Sequence, residues 1–158
     1  MMTYIHGISR DAIENDEQAT KAGALLAQFH HAVGDLDYKF KNARLGVHNT
    51  AQHLDALKKA LISYRNHSHF DKIKTLADEI LTLADQLPAL PEISDRIVHG
   101  DPKISNVIFD ASTDEAICLI DLDTLTRMPV ILELGDAMRS WCNLTTEDDL
   151  DATFSLQT

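Results

Sequence analysis

The chain has 158 residues, enough for one domain with a real core, since a domain of this size buries roughly 68–70% of the surface its unfolded form exposes. Its 14 basic against 25 acidic residues give a formal charge of -11, which repels phosphate backbones and anionic headgroups and argues against nucleic acid or membrane partners. No apolar run approaches the roughly 18 residues of a membrane span, and Met1 to Arg10 lacks the pattern of a signal peptide, so a cytoplasmic location is expected.

Along the chain, Ile13, Ala22, Leu25, Leu26, Phe29 and Val33 recur at helical spacing, which predicts an amphipathic helix over 11–33 with Ser9 as its N-cap and Gly34 as its stop. Residues 35–50 carry no sustained period and read as a connection. A second helix is expected from Thr50 or Ala51, with Leu54, Leu57, Leu61 and Tyr64 on one face. A third runs from Phe70 to Leu87 through Ile73, Leu76, Ile80 and Leu83, and Pro88 and Pro91 end it. This helical part, 9–87, carries no chemistry of its own: His30, His31, His48, His53, His67 and His69 lack metal-ligand spacing and read as core or surface residues.

After Pro91 short β-rich runs replace long helical ones, at 96–99, 107–109 and 117–120, with Pro102 separating the first from the second. The polar stretch 111–115 has the length of a hairpin loop. Pro129 opens a last helix, 129–143, through Val130, Ile131, Leu134, Ala137, Met138 and Trp141, the tryptophan reading as a core anchor. Cys118 and Cys142 sit in apolar stretches and read as buried thiols. The whole is expected to be a single domain over 1–158, α+β in class and mainly helical.

A hairpin turning midway between Thr113 and Asp114 sets Asn106 opposite Asp121, and opposed residues in such a ladder lie roughly 4.5–5.5 Å apart. An amide oxygen and a carboxylate there suit Mg²⁺, which takes one or two carboxylates and leaves its other positions to water or phosphate. Asp123 follows on the same side, and Asp101, in the loop entered through His99 and Gly100, lies near the same spot. Like charges at about 4 Å repel by roughly 4 kcal/mol at an effective dielectric of 20, so the cluster implies a cation or shifted pKa values.

The string His99-Gly100-Asp101-Pro102-Lys103-Ile104-Ser105-Asn106, followed by Leu119-Ile120-Asp121-Leu122-Asp123, resembles the active-site signature of the aminoglycoside phosphotransferase/choline kinase family. The resemblance implies the C-terminal lobe of a protein-kinase-like fold, its small β-hairpin carrying the catalytic and metal-binding loops at 96–123. It makes Asp101 the group that orients the acceptor hydroxyl or receives its proton, and Asn106 and Asp121 the holders of Mg²⁺ bridging the phosphates of ATP. Asp123 stands where protein kinases have the glycine of D-F-G, and Lys103 is placed to approach the transferred phosphate. His99 braces the loop, while Asp136, in Leu134-Gly135-Asp136-Ala137, resembles the buried aspartate that ties the loop down.

The implied function is ATP-dependent phosphoryl transfer to a small-molecule hydroxyl on a sugar, aminoglycoside or amino-alcohol, and Ile120 to Thr124 is similar to the sugar 1-kinase branch that includes N-acetylhexosamine kinase. The resemblance begins at the helices that follow the nucleotide-binding lobe, so that lobe is expected to be absent, the chain to be inactive alone and its uncovered apolar surface to favour a homo-oligomer. A non-catalytic folded fragment or association module is the alternative. A haloacid-dehalogenase-like phosphatase fits less well, because Thr124 follows Asp123 directly where that pattern, D-x-D-x-T, needs a spacer.

Overall fold

The computed structural model describes residues 4–41, 43, 46–143 and 145. The elements are β1 (Ile8–Ser9), α1 (Asp16–Ala32), α2 (Thr50–Ser63), α3 (Phe70–Gln86), β2 (Arg96–Val98), β3 (Val107–Phe109), β4 (Ala116–Leu119), β5 (Thr126–Met128) and α4 (Val130–Trp141), with single 3₁₀ turns at Ile104–Asn106 and Leu122–Thr124. The chain divides into two compact units, Met1–Arg44 with Ile93–Thr158 and Leu45–Glu92, a finer division than the single domain expected from length. The class is the expected one, α+β and mainly helical.

In the first unit α1 begins five residues later than its apolar period suggests. Asn15 supplies the cap, its side chain accepting the Gln18 N–H at 3.0 Å, and Asp16 and Glu17 set negative charge against the helix N-terminus. Gln18 returns the favour through its own side chain, which accepts the Glu14 N–H at 3.0 Å. Ser9, expected as the cap, lies in β1 and pairs with Ile108. Gly7 permits that pairing, because a Cβ there would stand 2.6 Å from the Phe109 carbonyl oxygen.

Two small antiparallel sheets result, one in the order β1-β3-β4 and one pairing β2 with β5. In the hairpin Val107 faces Leu119 and Ile108 faces Cys118, but Phe109 faces Ala116, so Ile117 is the extra residue of a bulge. The turn itself is built on Asp110, whose carboxylate accepts from the hydroxyl and N–H of Ser112 and the N–H of Thr113. Those bonds, the Ser112 hydroxyl first, hold the Asp110 pKa down to about 2. Ala22, Ile104, Val107 and Phe109 form the core, with Ile13, Leu25, Leu119 and Trp141 packed against it. Cys118 and Cys142 are free thiols, half-buried.

The second unit is a helical hairpin. Asn49 caps α2 by accepting the Gln52 N–H at 3.0 Å, and the face carrying Leu57, Leu61 and Tyr64 meets Phe70 and Ile73 of α3 around a cavity of about 300 Å³. Among the described residues no helix is long and apolar enough to cross a membrane.

Replacing Asn15 by Ala removes the cap of α1 and should cost about 1 kcal/mol, a fall of about 2–4 °C in melting temperature for a domain of this size. Thermal unfolding followed by circular dichroism checks this, and an unchanged midpoint would show that the Gln18 to Glu14 bond suffices.

Candidate functional site

The loop that leaves β2 runs through His99, Gly100, Asp101, Pro102 and Lys103 into the 3₁₀ turn at Ile104–Asn106. Gly100 has φ +85, and a Cβ there would collide with the backbone of Thr124. Glycine is required twice over, for the left-handed backbone and for the close approach. His99 is fully buried, with Nε2 at 2.8 Å from the Ile120 carbonyl, so that nitrogen carries the proton and Nδ1 is left to accept from the Asp101 N–H at 3.4 Å. The Thr124 hydroxyl donates to the His99 carbonyl at 2.9 Å. The loop and the segment after β4 are therefore stitched together from both sides.

α4 supplies the remaining restraints. Its buried residues are Glu133, Ala137 and Ser140, spaced i, i+4 and i+7 on one face, with Trp141 beside them. Glu133 Oε1 accepts the N–H groups of His99 at 2.5 Å and Gly100 at 3.1 Å. Ser140 Oγ accepts the Ile104 N–H at 3.2 Å, and Trp141 Nε1 donates to the Pro102 carbonyl at 2.8 Å. The residue that ties the loop down is thus Glu133, where the sequence pointed to Asp136. Asp136 falls on the shoulder of that face and pairs with Arg139 Nε at 3.1 Å. Trp141 anchors the loop as well as the core.

Around Asp101 the side chains converge. Asn106 Nδ2 donates to the Asp101 carbonyl at 2.9 Å and to its Oδ2 at 3.3 Å, and Lys103 Nζ lies 3.4 Å from the same carboxylate oxygen. The expected pairing of Asn106 with Asp121 is corrected by one residue: the Ile120 N–H donates to the Asn106 carbonyl at 2.9 Å, because Asp110 pairs with Glu115 at the turn, two residues short of the expected register, and the bulge at Ile117 restores only one of them. Asp121 follows with a left-handed backbone, φ 63 and ψ 55, which turns the chain into the 3₁₀ turn carrying Asp123.

The Asp121 carboxyl has a raised pKa, first through its hydrogen bond with Asp123, then through the charge of Asp123, partial desolvation and the charge of Asp101, with Lys103 opposing. Three carboxylates and one ammonium therefore share one field. Among the described residues no group of three or more His, Cys, Asp or Glu side chains is arranged to enclose a metal ion by itself. The donors present, crowded and exposed carboxylates beside an amide, are hard oxygen ligands of the kind that hold Mg²⁺ through one or two contacts while phosphate and water complete the shell.

The sequence profile of the phosphotransferase enzyme family matches residues 1–155, and the chain belongs to that family. Its fold is similar to the crystal structure of aminoglycoside-3'-phosphotransferase of type VIII, with a TM-score of 0.50 at 22% identity over 87% of this chain and 50% of that one. At that identity the likeness is one of fold, and the chain spans about half the length of the structure it matches.

Two outcomes follow from this geometry. Gly100→Ala forces a side chain into the Thr124 backbone at positive φ and should destabilise the first unit by about 2 kcal/mol or more, read as a lower denaturant midpoint; a loss within error would mean that the loop shifts freely. Asp123→Asn should act in the opposite sense. A raised carboxyl pKa means that stability is highest below the unfolded value and is lost as pH rises through the folded one. At pH 7 without divalent cations Asp123→Asn should therefore raise the melting temperature, by about 1–2 °C, and the gain should vanish by pH 3. Equal melting at both pH values would show that the two carboxylates do not crowd each other.

Proposed function

We propose that this chain carries the acceptor-activating and metal-holding machinery of an ATP-dependent phosphotransferase acting on the hydroxyl of a small molecule. The supporting observation is the position of Asp101, bonded to Asn106 and Lys103 and facing the negative field of Asp121 and Asp123. Asp101 orients the acceptor hydroxyl and takes up its proton as the phosphoryl group departs. Lys103, already within 3.4 Å of that carboxylate, is placed to follow the transferred phosphoryl oxygens. Asn106 and Asp121 would hold Mg²⁺, with Asp123 as a further oxygen donor, and the ion would supply positive charge against the charge that develops on the nucleotide phosphates. The protein's own part is then mainly positioning, which supplies much of the rate enhancement in phosphoryl transfer.

The acceptor we propose is neutral or cationic, a sugar, aminoglycoside or amino-alcohol, in keeping with a formal charge of -11. Within residues 1–158 no two glycines stand in the G-x-G spacing of a phosphate-covering loop, which supports slow or absent turnover by this chain alone.

Binding is the direct test. Mg²⁺ at 100 times its Kd should stabilise the protein by about 2.7 kcal/mol, with ATP adding to the effect. Asp121→Asn should abolish the shift, whereas Asp136→Asn should retain it. A melting temperature that ignores both ligands would sink this reading and leave a non-catalytic folded unit.

A further inference from the structure

α3 carries two apolar faces, and only one of them is covered. Phe70, Ala77, Leu81 and Ala84 form the first: Ala77 is buried, the others are half-buried, and Phe70 meets Leu57 and Leu61 of α2 around the cavity between the two helices. The second face, Ile73, Leu76, Ile80, Leu83 and the C-cap Leu87, lies about 90° further round the helix, and its side chains are 41 to 69% exposed. From Ile73 to Leu87 it runs about 21 Å at 1.5 Å per residue. Unlike single exposed leucines, a continuous stripe of this kind marks a surface that a partner covers.

The spacing of the stripe says what fits it. Its steps of three, four, three and four residues give the seven-residue period of a coiled-coil seam, with Ile73 and Ile80 at one heptad position and Leu76 and Leu83 at the other. Isoleucine at the first and leucine at the second is the combination that favours two strands over three or four. Asp71, Asp78 and Asp85 recur with the same period on the opposite side of the helix, so three of the four acids of α3 are kept off the seam in a chain whose formal charge is -11. We propose that a second copy of this chain covers the face: the α3 helices of two molecules pair about a two-fold axis that sets Ile80 against Ile80 of the other copy. The stripe extends seven residues to either side of Ile80 and is therefore its own complement, as a two-fold interface requires. Five side chains of this size, about half exposed, offer roughly 500 Å² per copy and roughly 1,000 Å² for the pair, where specific interfaces begin. The dimer is accordingly reversible, and it does not depend on the function proposed above.

Sedimentation velocity of the full chain across a concentration series reads the association directly. The mass should rise from one chain to two, and Ile80→Asp should weaken the dimer at least about thirtyfold, the effect of removing a central interface residue. Asp78→Asn, on the far side of the helix, should leave the dimer intact. Should Ile80→Asp lose its helical circular dichroism, Leu83→Gln is read in the same way. Disulfide trapping then locates the contact: under mild oxidation Ile80→Cys should give a covalent dimer, whereas Asp78→Cys should give no more than the parent, whose Cys118 and Cys142 set the background. A mass of one chain at every concentration would overturn the inference. So would a dimer that survives Ile80→Asp and is not trapped by Ile80→Cys, because its interface would then lie on another face.

Discussion

The interaction on which the site depends is between the inner face of α4 and the backbone of the loop after β2. That loop leaves its sheet at Val98, and its N–H and C=O groups are buried without a strand to pair with. Buried backbone groups left unpaired cost about 1–3 kcal/mol each, so the loop is viable only where something else meets them. Glu133, Ser140 and Trp141 do so from one rigid helix, at three points along the loop. A helix fixes the spacing of its side chains, so the loop inherits a geometry that it could not hold by itself. Gly100 makes the arrangement possible by letting the chain pass against Thr124, and Thr124 in turn holds the His99 carbonyl.

That restraint explains how acidic groups stay together. Asp121 and Asp123 repel, and Asp101 adds to the strain, yet none can relax far while its backbone is pinned. Rigid placement of like charges costs stability in the free protein and favours a cation, or a substrate dipole, brought among them. The proposed phosphoryl transfer would give this arrangement a chemical setting, since that reaction needs ordered charge and little covalent work from the protein.

How much of this could be read from the sequence depended on which signal was local. α2 and α3 lie within a residue of their expected bounds, because a heptad-like stripe and a closing proline are properties of the segment alone. The start of α1 was misplaced because Ser9 and Asn15 are both good caps, and only the pairing of Ser9 with Ile108 decides between them. β5 was missed: Thr126-Arg127-Met128 has no alternation, and the strand exists through its pairing with β2. The hairpin was legible but its register was not, since the bulge depends on how Asp110 folds the turn. Asp101, Lys103 and Asn106 could be found from their spacing. Glu133 belongs to no motif, and the usable signal is its period with Ala137, Ser140 and Trp141, which the exposed Leu134 and Met138 obscure.

α1 then appears as a strut between two differently built ends. At its N-terminal end Arg10 and Gln18 hold Asp114 at the hairpin tip, at 2.6 and 2.9 Å, lowering its pKa through the Gln18 bond first and Arg10 second. Twelve residues on, about 18 Å along the axis at 1.5 Å per residue, His30 meets Glu133. The tip contacts are partly exposed, and pairs of that kind are weakened by solvent and salt. The His30 end is buried, where losing one partner leaves a desolvated polar group without its neighbour. The restraint is therefore strongest at the end of α1 that faces the Asp101 loop and weakest at the hairpin turn, which matches where positional accuracy is needed.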